Sequence, residues 1–96
     1  MKEKVKGKAT VIKVDGTTTK LDHRPTLEEA QEIVGGYIEL VKVGGNKTLV
    51  VDEDGRIKNK KQNDKATSIL QASFIGPVTN IVGDVIVLEG WRTVVF

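Results

Sequence analysis

The chain holds no cysteine, one histidine (His23), two serines (Ser68 and Ser73), two prolines and four aromatic residues (Tyr37, Phe74, Trp91 and Phe96). Without cysteine there is no disulfide staple, no thiolate nucleophile and no thiolate metal site, a composition that suits a reducing compartment. One histidine and two serines leave nothing that positions a Ser/His pair, and neither serine sits on a nucleophile elbow. The aromatics do not interleave with the lysines of 56–65, so a base-stacking platform for nucleic acid is missing. No apolar run approaches the roughly 20 residues that span a bilayer, and the basic start MKEKVKGK has no apolar stretch behind it. The expectation is a cytoplasmic protein with no membrane contact.

At 96 residues there is material for a single domain, with residues 1–7 as a flexible basic tail. Apolar residues make up 39% and charged ones 29%, too apolar a mixture for a disordered chain. The net charge of +2 conceals an uneven spread. Residues 1–8 carry four lysines against one glutamate, and residues 56–65 carry Arg56, Lys58, Lys60, Lys61 and Lys65 against Asp64, leaving the remainder acidic at −5. Two basic stretches on an acidic body would form a footprint for an anionic partner, or simply be solvated.

Lys8–Val14 is rich in β-branched residues and ends at Asp15-Gly16, which predicts a strand and a two-residue hairpin turn into Thr17–Leu21. Thr26 followed by Glu29 spells a capping box, Leu27, Ala30, Ile33 and Val34 share one helical face, and Gly35-Gly36 stops the helix. Strands are predicted at Tyr37–Val43 and Lys47–Glu53, joined by Gly44-Gly45-Asn46. Asp54-Gly55 then turns into a further arm at Arg56–Lys58. Ala66–Phe74 reads as a second helix, capped by Asp64 and broken at Gly76-Pro77. Ile81-Val82 and Val85–Leu88 read as strands. The run VIVL lacks alternation, which implies cover on both faces, and Trp91–Phe96 would close the sheet. The order β-α-β-β-(β)-α-β-β predicts an α+β fold: a two-layer sandwich of a mixed or antiparallel sheet with one or two short helices.

The words VGGYIE (34–39), LVVDEDG (49–55), Asn63 with Ala66-Thr67, and IVGDVIV (81–87), in that order, resemble a family of uncharacterised small domains of phages, prophages and mobile elements. The resemblance spans roughly residues 26–90. This chain has Asp52 where members often carry asparagine. The resemblance implies a mobile-element origin and a host-cell setting, and it implies no reaction.

The Asp52-Glu53-Asp54-Gly55 cluster does not match a calcium loop, since glycine comes too early and the twelfth position is Asn63. No cofactor or metal is therefore expected. The glycine pairs 35–36 and 44–45 do not link a strand to a helix start, so neither fits a nucleotide-loop signature. Glu53 and Asn63 are the polar positions that the resemblance singles out. Asn63 would cap the second helix or, with Glu53 and nearby cations, grip a ligand. The expected binding residues are Arg56, Lys58, Lys60, Lys61, Lys65, Asn63 and Glu53, with backbone amides at Gly35 and Gly36.

The expectation is a non-enzymatic accessory binding protein that inhibits or sequesters a host component in a defence setting, either an anionic nucleotide signal or an effector protein. A nonspecific nucleic-acid binder and a small nuclease or phosphodiesterase are the alternatives. Trp91–Phe96 offers an edge for homo-oligomer pairing.

Overall fold

The computed structural model describes residues 7–73 and 79–90. Most of the expected basic tail, the Gly76-Pro77 helix stop and the closing strand Trp91–Phe96 lie outside the described residues. Seven elements follow in chain order: β1 (Lys8–Ile12), β2 (Thr18–Leu21), α1 (Leu27–Val34), β3 (Ile38–Val43), β4 (Lys47–Asp52), α2 (Asp64–Ala72) and β5 (Val85–Glu89). The strands form one antiparallel sheet in the order β2-β1-β5-β4-β3. This is the expected α+β fold.

β5 occupies the middle of the sheet, and its four apolar residues Val85, Ile86, Val87 and Leu88 are all buried. Alternation along the pleat divides them. Val85 and Val87 pack with Ile12, Leu49 and Val51 against Ala66 and Leu70 of α2. Ile86 and Leu88 pack with Ala9, Val11 and Val50 against Ala30 and Val34 of α1. The helices therefore cover opposite faces, and the sheet is the middle of three layers rather than one of two. An unalternating apolar run is what a strand covered on both sides requires.

Helix α1 begins and ends as its sequence dictates. Thr26 Oγ1 accepts from the Glu29 amide at 3.1 Å, and Glu29 Oε1 accepts from the Thr26 amide at 2.9 Å, completing the capping box. Gly35 terminates it in the left-handed conformation at φ +83°. His23 also leans on this cap: Nδ1 lies 2.7 Å from Asp22 Oδ1, and Nε2 lies 3.1 Å from both Glu29 oxygens.

Three local expectations are corrected. The β1–β2 connection is a three-residue loop, with the Lys13 amide bonded to the Thr17 carbonyl and the Gly16 amide to the Lys13 carbonyl, both at 2.9 Å. Gly16 at φ +92° makes it a turn with a glycine bulge in place of the two-residue form. Secondly, Asp54-Gly55 does not start a hairpin and Arg56–Lys58 is not a strand. The Asp52 carboxylate takes the Asp54 amide at 2.8 Å, which bends the chain at the end of β4, and residues 53–59 run on as turns. Thirdly, Asn63 rather than Asp64 caps α2. Asn63 holds the extended conformation of a cap residue and accepts from the Ala66 amide at 3.1 Å, while Asp64 is the first helical residue. Of the strand expected at Ile81-Val82, a single bridge between Gln62 and Val82 is present.

Asn63 is 1% exposed and ties together three parts of the chain. Its Nδ2 donates to the Ile12 and Gly83 carbonyls, both at 2.9 Å, as its Oδ1 caps α2. Removing it orphans two buried carbonyls as well as a helix end. Asn63→Ala should destabilise the fold by about 2–4 kcal/mol, summing the lost cap and the unsatisfied groups. A urea titration followed by far-ultraviolet circular dichroism checks it.

A second expectation follows from His23. Hydrogen bonds that the ring donates to Asp22 and then Glu29 raise its pKa, so its support of the α1 cap is complete below the unfolded value near 6.5 and fades as pH rises through the higher folded value. The melting-temperature difference between wild type and His23→Gln should shrink between pH 5 and pH 9.

Candidate ligand-binding site

The end of β4 carries a carboxylate that solvent does not reach: the Asp52 side chain is 1% exposed. Two ammonium groups meet it, Lys58 Nζ at 2.9 Å and Lys60 Nζ at 2.6 Å, and the Asp54 amide supplies a third hydrogen bond. Each lysine also donates to a carbonyl at the end of α1, Lys58 to Gly35 at 3.0 Å and Lys60 to Val34 at 2.6 Å. Cations suit that end of a helix, where unpaired carbonyls concentrate negative potential. Burial alone would push the Asp52 pKa up. The hydrogen bonds from Lys60, Lys58 and the Asp54 amide outweigh it and bring it down to about 2.

The cationic stretch thus divides by role. Lys58 and Lys60 turn inward to hold Asp52 and the helix end. Arg56 donates from its guanidinium to the Asn80 carbonyl, and Lys65 reaches the Gly16 carbonyl at 2.7 Å. Lys61 is exposed; its carbonyl accepts from the Gly83 amide at 2.8 Å, while its ammonium group has no hydrogen-bond or ion-pair partner among the described residues. Asn63 is enclosed, and its side-chain donors are spent on structure. The Gly35 and Gly36 amides both donate to the Gln31 carbonyl. Gly36 matters for another reason: a Cβ there would stand 2.8 Å from Asp52 Oδ1 and 2.6 Å from Lys58 Nζ.

Two shallow clefts flank this cluster. One, of about 290 Å³, brings Gly35, Lys60 and Lys61 together. Val14, Ile33 and Val34 form its apolar wall, and Gly83 and Asp84 close it. The other, of about 280 Å³, lies on the α2 face and is bordered by Glu53 and Arg56. The expected binding residues therefore do not form one site. Lys58, Lys65, Asn63 and Gly36 line neither cleft. Sequence reasoning missed Val14, Ile33, Gly83 and Asp84 as lining residues. Gly83-Asp84 falls within the IVGDVIV word, and the chain folds so that this word meets VGGYIE at Gly35. Among the described residues no group of three or more His, Asp or Glu side chains could hold a metal ion. None of the described helices is long and apolar enough to cross a membrane.

The profile of a family described as "Domain of unknown function (DUF3846)" matches residues 5–93. The chain belongs to that family. No curated protein and no solved structure matches it. The match begins ahead of the region of sequence resemblance and takes in β1 and β2, so the DUF3846 unit is the whole five-stranded sheet with both helices.

In this DUF3846 domain the Asp52 cluster should set the acid limit of stability. A depressed folded-state pKa contributes stabilisation that is complete above the unfolded value near 3.8 and is lost as pH falls through about 2. The contribution at neutral pH is about 2 kcal/mol. Asp52→Asn should therefore lower stability at pH 7, with the gap to wild type narrowing between pH 4 and pH 2 in denaturant titrations.

Proposed function

We propose that the protein is a non-catalytic binding domain for a small anionic ligand with an apolar portion, a nucleotide being the chemistry that fits. The observation that carries this reading is the cleft that sets Lys61, with Lys60 beside it, against the apolar wall of Val14, Ile33 and Val34. Lys58 and Lys60 balance the two carboxylates nearby, Asp52 and Asp84, so the net positive charge of the cleft is that of Lys61. The Lys61 ammonium group has no hydrogen bond or ion pair to give up among the described residues, which leaves it free to pair with a phosphate. The wall supplies the contact area for a base or another flat group. A volume of about 290 Å³ sits at the lower end of the range for small-molecule sites, which suits a mononucleotide or one half of a larger nucleotide.

In the mobile-element setting implied by the resemblance, such a domain acts by sequestration. It removes an anionic host signal without transforming it.

Isothermal titration with inorganic phosphate, adenosine and guanosine monophosphates and a cyclic dinucleotide tests the proposal. At least one nucleotide should bind, and Lys61→Gln should weaken it by about tenfold or more, the loss of one charge-assisted contact. Lys65→Gln, directed at a loop outside the cleft, should leave affinity unchanged. Equal affinity for wild type and Lys61→Gln would reject the site. Binding only to long single-stranded nucleic acid, with steep salt dependence, would replace it with nonspecific phosphate contact.

A further inference from the structure

β3 pairs with β4 on one side, and among the described residues no strand lies on its other side. The register runs past the strand itself: the Glu53 amide donates to the Tyr37 carbonyl at 2.8 Å, which continues the Ile38–Asp52 pairing by one step. Tyr37, Glu39, Val41 and Val43 therefore alternate onto the α2 face, the side of Val51. The 280 Å³ cleft lies on that face, with Val41, Val51, Leu70 and Ile81 as its floor and Glu39, Glu53 and Arg56 on its border. Neither carboxylate has a hydrogen-bond or ion-pair partner among the described residues. Tyr37, 70% exposed, extends the same row.

We propose that the edge of β3 and this cleft together dock an extended segment of a partner protein, one that alternates basic and apolar side chains along one face. A strand laid beside β3 would take up its outward-facing amides and carbonyls, and every second side chain would fall over the cleft. A lysine or arginine opposite Glu39 meets the two unpaired carboxylates, with the Tyr37 ring available to the cation or its aliphatic stem. The next side chain on that face lies over Val41 and is favoured when apolar. The other sheet edge, β2, offers no such combination. Its residues Thr18, Thr19 and Lys20 are exposed, and neither cleft adjoins it. Charge complementarity selects the occupant: Glu39 and Glu53 outnumber Arg56, the one unneutralised cation among the border residues, so an acidic segment is disfavoured. This site has the opposite ligand preference to the cleft at Lys61 and lies on the opposite face, so the two stand or fall separately.

The test is a titration of the full ¹⁵N-labelled chain, followed by amide chemical shifts, with the peptide Lys-Thr-Val-Thr-Lys, its counterpart Glu-Thr-Val-Thr-Glu, and a version of the first methylated on alternate backbone nitrogens. The basic peptide should bind about tenfold or more tightly than the acidic one, with shifts concentrated at Tyr37–Val43. The double variant Glu39→Lys, Glu53→Lys, altered only at exposed side chains, should reverse that preference. Backbone methylation should abolish binding. Equal affinities, no binding of the basic peptide at millimolar concentration, or an unchanged preference in the double variant would overturn the proposal. Insensitivity to methylation would overturn strand addition.

Discussion

Removing a carboxylate from water costs several kcal/mol unless positive charge and hydrogen bonds replace the lost hydration. Asp52 imposes that requirement at the junction of β4, the 53–60 turns and the end of α1. Lys58 and Lys60 answer it from the turns, the Asp54 amide answers it locally, and the same two ammonium groups bind carbonyls of Val34 and Gly35. The end of β4 with the turns that follow it, and the distant end of α1, are thus held by one charge. Gly36 is part of the arrangement because only a residue without a side chain leaves room for the carboxylate and the Lys58 ammonium. The words VGGYIE and LVVDEDG, which look like separate turn and strand signals, meet at this single point.

That arrangement also decides which cations of the stretch stay available. Lys58 and Lys60 are spent on Asp52 and the helix end, so Lys61 is the cation left to the cleft on the α1 face. On the α2 face Arg56 shares the cleft border with Glu39 and Glu53, and neither carboxylate is ion-paired among the described residues.

Where local chemistry decides, the sequence was readable. Thr26, Glu29 and Gly35 define α1 by hydrogen bonds within a few residues, and VIVL announces a strand with two covered faces. Where a distant partner decides, it was not. Asp54-Gly55 has the letters of a hairpin turn, yet buried Gly55 stands so near the distant Val82 that a Cβ would come within 2.9 Å. Asn63 and Asp64 are both reasonable caps by residue type, and the choice rests on the Ile12 and Gly83 carbonyls that await Asn63. The basic stretch could be seen but not apportioned, because a lysine facing solvent and one bonded to a buried carboxylate are spelled alike. Layer number followed the same rule: two amphipathic helices can share a face or take one each, and only the sheet order separates the cases.

β5 is central in space and late in the chain, and both β1 and β4 use it as their neighbour. Without β5 the strand pairings reduce to two hairpins, β1–β2 and β3–β4, each with an unpaired inner edge. Pairing of β1 with β5 joins positions almost eighty residues apart, the kind of distant closure that slows folding and makes it cooperative. Closure of the sheet therefore depends on β5, and the edges that β5 covers are the ones most prone to aggregate when they are unpaired.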